Sequence, residues 1–158
     1  MEAGYTHVYT GEGKGKTTCA LGLALRAAGA GKRVFIGQFL KSDEYSEIKA
    51  LRGFLPMITV EQYGKNVSSG YEKAMSALLS GGYDVVILDE INTAVGKGLL
   101  SEQEETALID AKPKETELIL TGRYAAESVI EKADLVTEMR PVKHYFEKGV
   151  RARAGIEK

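Results

Sequence analysis

Residues 10 to 18 read Thr-Gly-Glu-Gly-Lys-Gly-Lys-Thr-Thr, between a short apolar run, Thr6 to Tyr9, and a helical pattern from Thr18 to Ala28. Glycines at alternate positions, Gly11, Gly13 and Gly15, let successive backbone N–H groups turn toward one anion, where a Cβ would obstruct the approach. Lys16 adds a point charge and Thr17 a hydroxyl placed for Mg2+. The helix that follows directs about +0.5 of an elementary charge at the same spot. The chemistry is phosphate binding. Measured against G-x-x-x-x-G-K-[ST], however, the first glycine is displaced: its position falls on Thr10, and glycine arrives one residue later, at Gly11. The motif alone therefore does not guarantee the usual wrap around a β-phosphate. Glu12 adds an acid that should repel the ligand unless it points outward, to metal or ribose.

Two further groups emerge where apolar strands end. Val85-Val86-Ile87-Leu88 closes in Asp89-Glu90, and Mg2+ prefers hard oxygens, one or two carboxylates beside phosphate and water. Thr17, Asp89 and Glu90 are the expected protein ligands. Leu120-Thr121-Gly122-Arg123 brings a cation to the same rim, where a guanidinium fork grips phosphate oxygens or forms an ordinary surface ion pair. Arg26, nine residues past Thr17, is half a turn out of phase with it and faces another part of the pocket or solvent. Gln38 either orients a water or satisfies backbone groups, and the second reading is preferred. Cys19 reads as a small packing residue. His7 and His144 are too few and too scattered for a transition-metal centre. Phe39, Tyr45, Tyr63 and Tyr71 flank strand ends, as core or rim packing or as surfaces for a flat apolar ligand.

These groups need a scaffold that gathers strand ends along one edge. Apolar runs at Thr6 to Tyr9, Arg33 to Phe39, Ile58 to Gln62, Asp84 to Leu88, Glu117 to Leu120 and Leu135 to Glu138 read as strands. Helical patterns lie between them at Thr17 to Ala28, Ser42 to Leu51, Ser69 to Leu79, Glu102 to Ala111 and Ala125 to Lys132, with Gly29 and Gly31 as caps of the first. The alternation predicts an α/β fold, a mostly parallel sheet covered by helices on both faces, whose ligands bind at the carboxyl ends of the strands. With 158 residues, one domain over 1–158 is expected, and 140–158 form a basic tail that is either solvated or substrate-facing. A formal charge of −1 gives no reason to expect nucleic acid as a partner. The Met-Glu-Ala-Gly-Tyr start has no signal-peptide pattern, no run is long enough for a membrane span, and a lone cysteine suits a reducing cytoplasm.

Taken together, TGEGKGKTT (10–18), ALGLALRAAGAGKRV (20–34), VVILDEIN (85–92), LTGR (120–123) and TEMRPVKHYFEKGVRARAGIE (137–157) resemble the P-loop ATP:corrinoid adenosyltransferases of the cobalamin pathway. The resemblance implies a RecA-like P-loop fold and transfer of the 5′-deoxyadenosyl group of ATP to the cobalt(I) of a corrinoid, with release of triphosphate. It also implies ATP bound in reverse, which suits the displaced glycine. Carried over by position, Gly11, Glu12, Gly13, Lys14, Gly15, Lys16, Thr17 and Thr18 bind triphosphate, Thr17 and Glu90 hold Mg2+ (or Mn2+), Arg123 contacts phosphate and Arg26 lies near the sugar. Lys16, Glu90 and Arg123 are then the residues that act on the departing group. A flavoprotein or other reductase and a homodimer are the implied partners. Two features depart from the family pattern: Gly64-Lys65-Asn66-Val67 stands where relatives carry Gly-Phe-x-Trp, leaving Tyr63 or Tyr71 to exclude the lower axial ligand, and the chain starts close to its first strand. The competing readings are an ordinary P-loop ATPase or kinase and a non-catalytic ATP-dependent corrinoid carrier.

Overall fold

The computed structural model describes residues 3–158, so the reading of the first two residues lies outside it. Six parallel strands form one sheet in the order β3-β2-β4-β5-β1-β6: β1 (Thr6–Thr10), β2 (Val34–Phe39), β3 (Ile58–Gly64), β4 (Val85–Asp89), β5 (Glu117–Thr121) and β6 (Leu135–Glu138). The central strands read as unbroken apolar runs because both faces are covered. Ile36, Ile87 and Ile119 pack on one face, with Ala20, Ala24 and Ala27 of α1 (Lys16–Gly29) and Ile48 and Leu51 of α2 (Ser46–Phe54). Val86, Leu88, Leu118 and Leu120 alternate to the other face. There they meet α3 (Val67–Leu79), α4 (Ile91–Gly96), α5 (Glu102–Ala111) and α6 (Glu127–Lys132). Only edge strand β6 is exposed throughout.

The elements start and stop for local reasons. The three buried alanines of α1 recur at helical spacing and let the helix lie close to the sheet. Gly29 remains helical, and the helix is ended by Gly31 at φ 77°, with Gly31 N–H donating to Ala28 O and Lys32 N–H to Ala27 O. Ser101 and Glu104 cap α5 reciprocally, each side chain accepting from the other's backbone N–H. Two helices start later than their sequence patterns suggest. Leu40 and Tyr124 adopt left-handed φ values of 60° and 63°, so the chain turns sharply past β2 and past β5 before α2 and α6 begin. The short α4 follows Glu90, itself left-handed at φ 64°. All three unusual residues lie on the rim where the strands end.

Candidate active site

The loop between β1 and α1 is shaped by what crosses it. Gly11 (φ 99°) and Gly15 (φ 121°) adopt backbone conformations that favour glycine, and Gly15 starts α1 without a side-chain cap. No side chain therefore competes for the helix's first N–H groups. Met139, just past β6, donates its N–H to Thr10 O at 2.9 Å and accepts the Gly13 N–H at 2.7 Å. A Cβ on Gly11 would lie 2.5 Å from Met139 O, and one on Gly13 2.7 Å from the same atom. The alternate glycines thus admit a crossing chain, and the Gly13 N–H is committed to Met139. Lys16, only 7 % exposed, places Nζ 2.7 Å from both Gly11 O and Gly13 O. Burial and the Arg123 cation lower its pKa against the pull of Glu90, Glu12 and Asp89.

Asp89 is the hub of the rim and is 1 % exposed. Its Oδ1 accepts from Thr17 Oγ1 at 2.8 Å and Thr121 Oγ1 at 2.7 Å. Its Oδ2 accepts from Lys41 Nζ at 2.8 Å and Gln38 Nε2 at 3.1 Å. A carboxylate offers about four acceptor positions, and all are taken. Gln38 is fully buried and also accepts from Gln62 Nε2 at 3.0 Å, so it satisfies side chains and not the backbone groups expected from sequence.

Glu90 is less encumbered. Thr93 Oγ1 donates to its Oε2 at 2.6 Å, and Arg123 N–H donates to the same Thr93 hydroxyl at 3.0 Å. Among the described residues no side chain or backbone group donates to Oε1. Gly122, at φ 134°, allows this junction, since a Cβ there would meet Thr93 N and Oγ1 at 2.7 Å. The Arg123 guanidinium is half exposed, with Nε 3.6 Å from Glu12 Oε2. That pair answers the question of the acid in the loop: Glu12 balances Arg123, at an exposed site where an ion pair contributes about 0 to 1 kcal/mol.

Gly13 to Thr18, Glu12, Lys41, Glu90 and Arg123 border one cavity of about 840 Å³. The tail closes its other side. His144 and residues 155–158 also line it, with Ile156 O accepting from Lys14 Nζ and Lys158 O from Ser46 Oγ, both at 3.1 Å. Arg153, Tyr145 and Glu157 fold the tail on itself through the Arg153–Glu157 pair, a Tyr145–Glu157 hydrogen bond and Arg153 stacked 5.2 Å from the Tyr145 ring. Residues 155–158 thus border the cavity.

The family model described as "ATP:corrinoid adenosyltransferase BtuR/CobO/CobP" matches residues 2–157. The chain belongs to this family. It is 35 % identical to the corrinoid adenosyltransferase CobA of Salmonella typhimurium and 33 % identical to the corrinoid adenosyltransferase of Escherichia coli, each alignment covering 99 % of this chain and 86 % of the relative. It is also 38 % identical to an uncharacterized Nostoc protein, over 89 % of this chain, and there it spans 45 % of the relative's length.

Several expectations for this corrinoid adenosyltransferase-family chain are corrected by the structure. Arg26 is exposed and does not line the cavity, because nine residues carry it roughly 13 Å along α1 and to the opposite face. Lys14 lies at the cavity but places its ammonium on Ile156 O. Cys19 is exposed, not packed. Tyr63 is core: a Cβ on Gly70 would be 2.6 Å from its ring, and Phe39 packs edge-on at 5.1 Å. Tyr71, half-buried, packs against the same cluster. Neither tyrosine borders the cavity, so neither replaces the missing Gly-Phe-x-Trp aromatics there.

Sequence reasoning missed Lys41, Thr93 and Thr121. Lys41 and Thr121 stand at the carboxyl ends of β2 and β5, and that position on the rim was the available signal. A threonine hydroxyl, Thr17 Oγ1, and one carboxylate oxygen that has no partner among the described residues, Glu90 Oε1, are hard oxygen donors of the kind a divalent cation such as Mg2+ takes.

Proposed function

We propose that this chain transfers the 5′-deoxyadenosyl group of ATP to the cobalt(I) of a corrinoid and releases triphosphate. The observation that carries the reading is the gathering of the glycine loop, Thr17, Glu90 and Arg123 around one cavity in a member of this family. Family membership gives no support to the ATPase, kinase and carrier alternatives.

The electron pair that forms the new cobalt–carbon bond comes from the substrate cobalt, and the C5′–O pair leaves with triphosphate. No protein nucleophile is needed. The chain's task is to position and to stabilise a polyanion, where alignment alone can be worth about 7 to 11 kcal/mol. Lys16 gives up the Gly11 and Gly13 carbonyls for phosphate oxygens, and Arg123 exchanges Glu12 for the same ligand. The N-terminus of α1 adds its partial charge. Asp89 fixes the Thr17 hydroxyl, and Thr93 fixes Glu90, so that Thr17 and Glu90 are the residues that would hold Mg2+ (or Mn2+). That ion supplies charge neutralisation on the triphosphate. Asp89, with every acceptor position filled, acts through Thr17.

A flavoprotein or another reductase supplies the cobalt(I) state in this reading, and a cytoplasmic homodimer is its setting. Among the described residues no helix is long and apolar enough to cross a membrane. Incubation with ATP, Mg2+ and a chemically reduced corrinoid should yield a light-sensitive cobalt–carbon product and triphosphate in equal amounts. Orthophosphate release with an unchanged corrinoid spectrum would contradict the proposal.

A further inference from the structure

Lys41 stands at the centre of the site. It follows left-handed Leu40 at the end of β2, and its side chain is 18 % exposed. Nζ lies 2.8 Å from Asp89 Oδ2 and 3.2 Å from Thr17 Oγ1, while the Thr17 hydroxyl donates its proton to Asp89 Oδ1. The ammonium therefore rests on the oxygen that a divalent cation would need. A metal on Thr17 would share that hydroxyl with a fixed positive charge and be repelled by it. Burial works against the Lys41 charge, but attraction and hydrogen bonding to Asp89, with help from Glu90 and Glu47, outweigh it and hold its pKa above the ordinary lysine value.

We propose that Lys41 is the resident counter-ion of Thr17 and Asp89: it holds both in place until a metal–nucleotide complex arrives, then yields Thr17 to the metal and turns its charge to the triphosphate. The proposal rests on the metal–nucleotide reading given above. It makes Lys41 a positioning residue before nucleotide binds and a phosphate contact afterwards. Its physical consequence is ordered loading. Free divalent cation binds poorly because nothing receives the displaced ammonium, whereas nucleotide brings the anion that does.

Mn2+ binding, read from loss of the free-ion electron paramagnetic resonance signal beyond the loss that the same ATP causes without protein, separates the possibilities. Wild-type protein should bind Mn2+ weakly alone and much more tightly with ATP. Lys41→Met keeps the aliphatic stem and removes the charge. Nucleotide-free, it should bind Mn2+ about tenfold or more tightly than wild type, as expected when a buried carboxylate loses its cation. ATP affinity in the presence of Mn2+ should fall about tenfold. Lys41→Arg, which keeps a cation, should leave nucleotide-free Mn2+ binding weak. Lys41→Gln repeats the measurement should the methionine variant melt below the assay temperature. Unchanged or weaker nucleotide-free Mn2+ binding in both neutral variants would overturn the proposal, since a plain phosphate contact or a structural lysine predicts that result. Absence of ATP-dependent Mn2+ binding by the wild type would instead overturn the metal–nucleotide reading itself.

Discussion

Lys16 and Arg123 hold their charges on partners within the chain. The Lys16 ammonium bonds two carbonyls of its own loop, and Arg123 pairs with Glu12, so both must exchange partners when a polyphosphate enters. A charge-assisted contact of this kind contributes about 1.5 to 3 kcal/mol. Lys16→Ala should therefore lower kcat/KM for ATP roughly 10- to 150-fold, measured by initial rates under saturating reduced corrinoid. Unchanged kinetics would mean that Lys14, Lys41 or Arg123 already holds the phosphate. The glycine loop, Thr17 and the Asp89-Glu90 pair were legible in sequence because each is a local motif with its own mechanism. Lys41 was not, because Leu-Lys-Ser-Asp carries no local signal, and only its place on the rim gives the lysine meaning. The hydrogen-bond capacity of Asp89 was equally hidden, since its four donors come from three separate stretches of chain, Thr17, Gln38 with Lys41, and Thr121.

At the scale of elements, strands were the clearest part of the sequence. Runs such as Val85 to Leu88 are apolar at every position because α1 covers one face and α3 and α4 the other. Helix starts were less clear, because Leu40 and Tyr124 turn left-handed without the glycine that usually announces such a turn, and the six-residue α4 is too short to show a period. Helix α5 hides a different feature. Glu105 is fully buried, and among the described residues neither carboxylate oxygen has a hydrogen-bond partner. Burial, with a smaller push from Glu102, raises its pKa to about 7. The folded state therefore binds this proton more tightly than the unfolded chain. Its contribution is fully favourable below the ordinary carboxylate pKa near 4.5, is lost as pH rises to about 7, and is flat above that. The loss is on the order of 3 kcal/mol. Denaturant titrations between pH 4.5 and 8 should show that Glu105→Gln removes most of this slope and is the more stable form at pH 8 relative to wild type. A slope of equal size in the variant would assign the effect to other groups.

At the scale of the whole molecule, the two ends of the fold meet at the loop. Met139 crosses Gly11 and Gly13, and residues 155–158 lie over the cavity, tied through Lys14 and Ser46. This gives a physical meaning to the tail signature that the sequence shares with its family. Arg153, Tyr145 and Glu157 fold the segment so that its last residues reach the glycine loop. The displaced glycine belongs to the same arrangement, since a Cβ on Gly11 would lie 2.5 Å from Met139 O of the crossing chain. The central claim is that this loop grips triphosphate as an intact leaving group. ATP carrying 18O in the bridge between C5′ and the α-phosphorus tests it directly, by mass spectrometry of the phosphate product after reaction with reduced corrinoid. Cleavage at C5′–O predicts a single triphosphate product that retains the label. Label left on the nucleoside, or orthophosphate in place of triphosphate, would contradict the account.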